Sequence, residues 1–243
     1  MAKAKPKILP LWEDSNPALN TLESQNSVFQ EVLGQKPLQQ IVESLTIPLE
    51  QYPALCGIDE AGRGCVAGSL FVCGVVLNNP PQALLNQLKD SKTLSQKTRD
   101  SLAKEIKQYA HFHLVQKSAQ VIDVHGLSVC LRDSLLEIMT HLSAPFYCFD
   151  GPCNFGIQTL KTLIKGDSKL HAISAASILA KSAKDSEMQT LHTQFPQYDF
   201  AHNKGYCTKA HLNAIAQNGL CTIHRKTYHL KALSQTPTLF ESH

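Results

Sequence analysis

Acidic residues stand at the ends of two apolar segments of this chain. Asp59 and Glu60 close the segment 55–60, and Asp150 closes the segment 146–150. Carboxylates at the ends of buried strands are costly to remove from water unless a cation meets them. These acids are therefore the first candidates for chemistry.

Two further acids follow along the chain. Asp167 opens the segment that leads into an alanine-rich helix predicted at 172–188, and Asp185 lies in the C-terminal half of that helix. No His or Cys ligands stand at zinc spacing, and oxygen ligands alone suit a hard cation such as Mg²⁺ or Mn²⁺. Two such ions about 3.5–4 Å apart are a standard device for in-line hydrolysis of phosphodiesters. The acids predict a divalent-metal site, with helix caps or surface acids as the alternative.

The adjacent pair Asp59 and Glu60 sets a geometric condition on that site. Successive side chains of a strand point to opposite faces of the sheet. Both carboxylates can reach one site only if the strand ends or bends there. Gly62 and Gly64 supply the backbone freedom for such a turn.

A basic tract lies near the C-terminus. Residues 201–232 contain five Lys or Arg, four His and no Asp or Glu, although the formal net charge of the chain is only +3. A basic tract without acids favours a polyanionic partner, nucleic acid above all. A solvated basic face is the alternative.

The 243 residues, 43% of them hydrophobic, suffice for one substantial core with a small accessory layer. Residues 1–53 are predicted to form an N-terminal extension, partly disordered or lightly docked. Beyond it, strands are predicted first as a hairpin and then in alternation with helices, which is typical of an α/β domain with a mixed central sheet. We expect a catalytic core at 54–190 and a helical C-terminal portion at 191–243.

The predicted elements are strands at 55–60, 68–77, 113–119 and 146–150, and helices at 95–109, 127–142, 172–188 and 209–217. No apolar run approaches the roughly 20 residues of a membrane span. No secretory signal is recognised, and the eight cysteines form no CxxC pair. These features predict a reduced, cytoplasmic protein without a membrane partner.

Several motifs resemble those of the ribonuclease HII family, and they follow the family's order from residue 55 to residue 228. The segments that carry the resemblance are GIDEAGRG at 57–64, LKDSK with Leu94 at 88–94, FDG at 149–151, KGDSK at 165–169, ISAASILAK at 173–181, FP at 195–196, NKGY and TKAHL within 203–212, and IHRK at 223–226.

The resemblance implies an RNase H-like fold, with a mixed central sheet and flanking helices, followed by a small helical C-terminal portion. It also implies an endonuclease that hydrolyses the RNA strand of RNA–DNA hybrids. Such an enzyme incises duplex DNA 5′ of single ribonucleotides, leaves 5′-phosphate and 3′-hydroxyl ends, and serves DNA replication and repair. Two Mg²⁺ or Mn²⁺ ions would be its cofactors, hybrid and ribonucleotide-containing duplexes its partners, and a monomer its default state.

The family's functional residues are carried over position by position. The implied metal ligands are Asp59, Glu60 and Asp150, and Asp167 completes the catalytic set. The implied substrate-binding residues are Gly62, Arg63, Gly64, Lys204, Tyr206, Lys209 and Arg225. Among these, Tyr206 resembles the tyrosine that stacks on the deoxyribose after the ribonucleotide, and the basic side chains are expected to contact phosphates.

Asp185 follows Lys184 where the family commonly has an Arg-Asp pair. It is expected to support the site without touching metal, or else to be a surface acid. The related ribonuclease HIII family typically has GKG in place of Gly62-Arg63-Gly64. That family also carries an N-terminal domain which residues 1–53 are too short and too polar to form.

This sequence departs from the family at a few positions. Ser69 replaces a usual Pro, and His125-Gly126 replaces a usual Asn-Ile, which places a glycine at a predicted helix start. The ending Tyr228-His229-Leu230 replaces an aromatic-Ala-Pro sequence. Two competing hypotheses are a catalytically idle nucleic-acid-binding module and another nuclease of the same fold class, such as a junction resolvase. The complete set of acids favours the enzyme, because a binding module gains nothing from anionic groups that face phosphates.

Overall fold

The computed structural model of this chain describes residues 55–89 and 94–228. The predicted N-terminal extension at 1–53, the central part of the LKDSK motif at 90–93, and residues 229–243 lie outside the described residues. Within the two described ranges, no helix is long and apolar enough to cross a membrane.

A mixed sheet forms the centre of the described chain. Its strands are β1 (Leu55–Ala61), β2 (Leu70–Leu77), β3 (Ala110–Lys117), β4 (Phe146–Asp150) and β5 (Leu160–Leu163). Across the sheet they follow the order β3-β2-β1-β4-β5. The strand β1 pairs antiparallel with β2 and parallel with β4, so the predicted α/β fold with a mixed sheet is confirmed.

The helices of the described chain are α1 (Gln82–Lys89), α2 (Gln96–Ile106), α3 (Ala119–His125), α4 (Leu127–His141), α5 (His171–Gln194), α6 (Phe200–Asn203) and α7 (Lys209–Asn218). Ser95 caps α2, because its side chain accepts a hydrogen bond from the Thr98 backbone N–H. The predicted boundary at residue 190 falls inside α5, so one continuous helix joins the core to the C-terminal portion.

Apolar layers cover both faces of the sheet, because side chains alternate along each strand. On one face, Ile58 of β1 belongs to a buried cluster with Leu131 and Leu135 of α4. On the other face, Cys73 and Val75 of β2 pack with α1, α2 and the alanine-rich middle of α5. The central strand β1 therefore lies between α4 and α5.

Close packing between β1 and α5 depends on Gly57. A side chain at Gly57 would overlap the backbone of Ala172 and Ile173 at the start of α5. Only glycine lets this helix lie directly against the strand. The contact occurs two residues before Asp59, so it fixes α5 beside the first predicted acid.

The C-terminal portion has a small core of its own. Met188 near the end of α5 packs there with Tyr198, Phe200 and Ile215. Ala67, from the loop that follows β1, is buried in the same cluster. The C-terminal helices are thus packed on the loop that leads away from the acidic end of β1.

Candidate active site

Asp59 and Glu60 lie at the end of the central strand. Pairing of β1 with β2 continues through both acids to Ala61, where the strand ends, whereas its pairing with β4 stops at Ile58. β1 therefore ends at Ala61, after both acids, and the turn begins at Gly62. Because the strand stays regular through both acids, their side chains leave opposite faces of β1, at the edge that β4 no longer covers.

Asp59 is a buried carboxylate, with 8% of the residue exposed. It accepts hydrogen bonds from the Glu60 backbone N–H at 2.7 Å and from the Ser177 hydroxyl of α5. Burial raises the pKa of Asp59 to about 7, and the neighbouring Glu60 and Asp150 carboxylates add to this effect. The hydrogen bond from Ser177 acts in the opposite direction and lowers the pKa. The ionised form of Asp59 is therefore poorly stabilised by the protein alone.

Ser177 and Lys181 were missed as candidates from the sequence. Lys181 donates to the Ser177 hydroxyl at 2.7 Å, and Ser177 in turn contacts Asp59. Both residues lie in the segment ISAASILAK. Their separation by four residues on a predicted helix is the signal that would have placed them on one face.

Glu60 keeps one carboxylate oxygen without a partner. Its Oε1 accepts from the Arg63 guanidinium at 3.5 Å. Its Oε2 is buried and receives no hydrogen bond from any described residue. Burial raises the pKa of Glu60, Arg63 opposes this effect and Asp150 adds to it. Buried polar atoms are rarely left unsatisfied, so the free oxygen marks a place where a cation fits.

Asp150 ends β4, and the turn that carries Asp167 orients its carboxylate. The Gly166 backbone N–H donates to Oδ1 at 3.1 Å, and the Asp167 N–H donates to Oδ2 at 3.3 Å. This turn is a short 3-10 helix (Gly166–Ser168) that leads into α5. It brings Asp167 to the same end of the sheet as Asp150, and each Asp150 oxygen retains accepting capacity.

The chemistry of these acids fits a divalent cation. All the donors are carboxylate oxygens, which hard cations prefer. The unpartnered Glu60 oxygen and the raised pKa of Asp59 both indicate a deficit of positive charge at the end of the sheet. Among the described residues, no three His, Cys, Asp or Glu side chains are gathered into a finished metal site.

The glycine-flanked Arg63 lies in the turn directly after β1. Gly62 has a φ of +89°, and a side chain there would approach the Ser69 carbonyl to 2.6 Å, so the position requires glycine. Gly64 has an ordinary φ, and a Cβ added to it would meet no atom within 4 Å. The exposed Arg63 therefore stands beside Glu60 and next to backbone that a ligand can approach closely.

Arg225 is buried beneath this turn, with 2% of the residue exposed. Its guanidinium donates to the carbonyls of Gly62 (2.7 Å), Arg63 (3.1 Å) and Gly68 (3.1 Å), and to the Tyr228 hydroxyl (3.1 Å). Four of the five guanidinium N–H donors of Arg225 are therefore taken up within the protein, which disfavours the predicted contact with a phosphate. Arg225 instead clamps the turn that presents Arg63.

Tyr206 and Lys209 are available to a ligand. Tyr206 is 46% exposed, and Lys209 is exposed as the first residue of α7. Lys204 is partly exposed, and its Nζ donates to the Gln96 side chain at 3.0 Å. The Gly205 carbonyl accepts hydrogen bonds from two backbone N–H groups in the loop that follows the Arg63 turn. The Tyr206 loop and the Arg63 turn are thus tied to each other.

A pair of buried histidines fixes the Tyr206 backbone. His211 Nδ1–H donates to the Tyr206 carbonyl at 2.8 Å, and the Cys221 backbone N–H donates to His224 Nδ1 at 2.9 Å. The two Nε2 atoms lie 3.1 Å apart. Because His211 carries its proton on Nδ1 and His224 accepts at Nδ1, the His224 Nε2–H donates to His211 Nε2. Burial, reinforced by His211, lowers the pKa of His224 to about 4, so both rings are neutral at pH 7.

The closing segment, residues 223–228, therefore connects two predicted binding elements. Through His224 it supports Tyr206, and through Arg225 it holds the Arg63 turn. Its backbone also joins the loop after β1, since the Arg225 N–H donates to the Val66 carbonyl at 2.8 Å. The sequence assigned no individual role to either histidine, although His211 stands in the motif TKAHL and His224 in the motif IHRK.

Asp185 is buried, with 7% of the residue exposed. It is therefore not a surface acid, which was one of its two predicted roles. Its Oδ2 pairs with Arg99 of α2 at 2.6 Å, and its Oδ1 lies 3.7 Å from Lys184 Nζ. The partners of Asp185 are therefore cations of α2 and α5.

Two departures from the family have clear local reasons. The Ser69 N–H and hydroxyl donate to the Glu187 carboxylate at 2.9 and 2.5 Å, and proline could make neither bond. Gly126 has a φ of +82° and lies between α3 and α4, outside both helices. Gly126 therefore does not weaken the interior of either helix. His125 is exposed, and the positions of residues 229 and 230 lie outside the described chain.

Comparison with known protein sequences shows the family to which this chain belongs. The family model of ribonuclease HII matches residues 56–144 and 153–231 of this chain. Ribonuclease HII of Aliarcobacter butzleri (strain RM4018) is 48% identical over 183 residues, which cover 74% of this chain and 93% of that protein. Ribonuclease HII of Sulfurovum sp. (strain NBC37-1) is 44% identical over 186 residues, which cover 76% of this chain and 96% of that protein.

Solved structures show the same fold. RNase HII of Archaeoglobus fulgidus, solved in a complex with PCNA, has a TM-score of 0.62 at 27% identity and covers 71% of this chain and 92% of its own. Ribonuclease H2 of Pyrococcus horikoshii OT3 has a TM-score of 0.62 at 22% identity and covers 75% of this chain and 99% of its own. The predicted RNase H-like fold is thus confirmed. The chain belongs to the ribonuclease HII family and is a metal-dependent endoribonuclease of the ribonuclease H class.

Proposed function

We propose that this protein hydrolyses the RNA strand of RNA–DNA hybrids and incises duplex DNA on the 5′ side of single ribonucleotides. The observation that carries the proposal is the combination of Asp59, Glu60 and Asp150 at one end of the sheet with the exposed Arg63 turn directly beside them. The products are a 3′-hydroxyl and a 5′-phosphate. The working state is a cytoplasmic monomer that serves DNA replication and repair, and sedimentation of the purified chain tests the monomer.

Asp59, Glu60 and Asp150 would hold two divalent ions, Mg²⁺ or Mn²⁺, and Asp167 would complete the acidic set. When bound, the ions lower the pKa of the attacking water and stabilise the leaving 3′ oxygen. The free Glu60 oxygen supports this assignment, since it is a buried acceptor that no described residue satisfies. A bound cation would also stabilise the ionised form of Asp59, which the protein alone disfavours.

The Arg63 turn would read the ribonucleotide. The 2′-hydroxyl is the group that distinguishes RNA from DNA at a given position. The open backbone at Gly64 lets a sugar approach the turn, and Gly62 gives the turn its shape. The contact between the Arg63 guanidinium and Glu60 is long, at 3.5 Å, and Arg63 is exposed. Its guanidinium can therefore also reach a phosphate of the bound strand.

The exposed face of Tyr206 would stack on the deoxyribose that follows the ribonucleotide. Lys204 and Lys209 would contact backbone phosphates, which position the duplex without reading its sequence. Because the Tyr206 loop is bonded to the loop after the Arg63 turn, the two contacts keep a fixed spacing. A fixed spacing between a ribose sensor and a deoxyribose sensor would select the junction between RNA and DNA.

The testing experiment is cleavage of a labelled DNA duplex that carries one ribonucleotide, with Mg²⁺, with Mn²⁺ and with a chelator. We expect metal-dependent incision 5′ of the ribonucleotide by the wild-type chain and none by Asp150→Asn, which should still bind the duplex. An all-DNA duplex and a four-way junction are the matched controls.

Other outcomes would contradict the proposal in different ways. Duplex binding without incision by either metal would favour the idle binding module. Preferential cutting of the four-way junction would favour a resolvase. Normal turnover by Asp150→Asn would refute the assignment of the metal ligands.

A further inference from the structure

We propose that Lys184 is a positioning residue for Tyr206. Its buried ammonium group holds one face of the tyrosine ring, so that the other face is presented to the substrate. This inference rests on the proposed function, in which Tyr206 contacts the sugar that follows the ribonucleotide.

Lys184 is a buried lysine, with 4% of the residue exposed. Lysine is almost never fully buried without a partner for its charge. The Nζ atom lies 4.4 Å from the centroid of the Tyr206 ring, well within the range of a cation–π interaction. Tyr206 is 46% exposed, so the ring covers the ammonium group on one side and meets solvent on the other.

The carboxylate next to Lys184 is shared with a stronger partner. Asp185 Oδ1 lies 3.7 Å from Lys184 Nζ, whereas Asp185 Oδ2 lies 2.6 Å from Arg99. Two cations therefore compete for one carboxylate. The excess positive charge stays beneath the aromatic ring, where loss of water strengthens a cation–π contact.

The rest of Tyr206 is also fixed, which makes the ring a defined platform. Its hydroxyl is hydrogen-bonded to the Cys65 thiol, and its backbone carbonyl accepts from His211. The stem of Lys184 passes below the Arg63 turn, because a Cβ added to Gly62 would lie 3.7 Å from Lys184 Cδ. Lys184 thus lies between the two contacts whose spacing would select the junction.

The first variant is Lys184→Met, which keeps the length of the side chain and removes its charge. Asp185 keeps Arg99 as a partner, so no buried carboxylate is left uncompensated. With the ribonucleotide duplex we expect KM to rise roughly 3- to 30-fold, the range of a cation–π contact, and kcat to change less than about twofold. A purely structural role would instead lower the active fraction, and with it kcat, at unchanged KM.

Two further variants serve as controls. Lys184→Arg keeps a cation under the ring and should restore KM to within about threefold of the wild type. Lys104→Met removes an exposed lysine of α2 and should leave KM and kcat unchanged.

A double-mutant cycle decides whether Lys184 acts through Tyr206. In a Tyr206→Leu background, Lys184→Met should have no further effect on KM. An equal loss in both backgrounds would overturn the proposal. It would also be overturned if Tyr206→Leu left KM unchanged while the wild-type chain cut the duplex.

An activity-independent measurement separates this inference from the proposed function. In the NMR spectrum, the ε-methylene signal that disappears in Lys184→Met belongs to Lys184. We expect this signal upfield of the other lysines in the wild type, because of the Tyr206 ring current, and within their range in Tyr206→Leu. A signal that does not respond to Tyr206→Leu would refute the contact. Failure of the wild type to cut any ribonucleotide duplex would refute the proposed function and leave this readout intact.

Discussion

Replacing Arg225 by methionine tests whether this residue clamps the Arg63 turn or binds a phosphate. The guanidinium makes four hydrogen bonds, three of them to backbone carbonyls. A hydrogen bond to a charged group contributes roughly 1.5–3 kcal/mol, but burying the charge offsets part of that sum. We therefore expect Arg225→Met to lower the free energy of unfolding by about 3–5 kcal/mol, as for the loss of one member of a buried charged network.

Lys209→Met is the matched control, because Lys209 is an exposed cation of the same tract. It should change the free energy of unfolding by less than about 0.5 kcal/mol. Urea denaturation of both variants at neutral pH measures these differences. Arg225→Lys keeps the charge but cannot match the fork of the guanidinium, and it should lie between the wild type and Arg225→Met.

The salt dependence of binding separates the two roles. An Asp150→Asn background prevents cleavage while a labelled hybrid is titrated between roughly 50 and 200 mM salt. Loss of one phosphate contact reduces the slope of log K against log salt by about 0.9, and we expect this change for Lys209→Met. For Arg225→Met at a temperature where the protein is folded, the slope should stay unchanged. A reduced slope with unchanged stability in Arg225→Met would refute the clamp.

Three further predictions concern the core and the two buried titrating sites. Asp59→Asn should abolish cleavage yet stabilise the metal-free protein by roughly 1–3 kcal/mol at pH 8. The reason is that burial raises the pKa of Asp59 to about 7, so the ionised form present at pH 8 is disfavoured in the folded protein. A melting temperature below that of the wild type, measured by calorimetry, would contradict this prediction. The pKa of His224 is lowered to about 4, so the unfolded chain binds more protons and stability should fall by up to roughly 3 kcal/mol as the pH falls from about 6.5 to 4. Unfolding across this range should show a weaker pH dependence in His224→Gln, and an unaltered dependence would refute the assignment. Gly57→Ala should destabilise the protein by roughly 1–3 kcal/mol, because its Cβ overlaps α5, whereas Gly64→Ala should not, and equal urea midpoints would contradict this difference.

The acidic end of the sheet could be predicted because the relevant signals are local. Apolar runs that stop at Asp59, Glu60 and Asp150 mark strand ends, and neighbouring strands place such ends together. The predicted strand at 55–60 agrees with β1 to within one residue, and the extra residue, Ala61, is held by pairing with β2. By contrast, nothing in the sequence indicated the short edge strand β5, whose four residues carry no clear alternation.

The role of Arg225 could not be predicted from the tract in which it lies. Its acceptors are backbone carbonyls 157 to 163 residues earlier in the chain, and a backbone carbonyl has no signature in the sequence. Charge counting treats Arg225 and Lys209 alike, whereas only Lys209 is exposed. The histidine pair was hidden for the same reason, since neutral buried imidazoles cannot be told from surface ones by spacing.

The third strand shows how pairing overrides pattern. The alternation of apolar and polar residues predicted a strand at 113–119, but β3 runs from Ala110 to Lys117. Its start is fixed by β2, because Leu77 pairs with Ala110. Ser118 accepts a hydrogen bond from the Val121 N–H and begins α3, which removes the last two predicted residues from the strand.

The closing segment also determines when the site becomes complete as the chain is made. Synthesis proceeds from the N-terminus, so the acids of β1 and β4 leave the ribosome well before residue 225. Arg225 reaches the Arg63 carbonyl across 162 residues of sequence. Until that residue emerges, the growing chain carries every acid but lacks the group that fixes the turn beside them. A prematurely terminated chain that ends before residue 223 would hold the acids without the clamp, and the order of translation thus delays assembly of the nuclease.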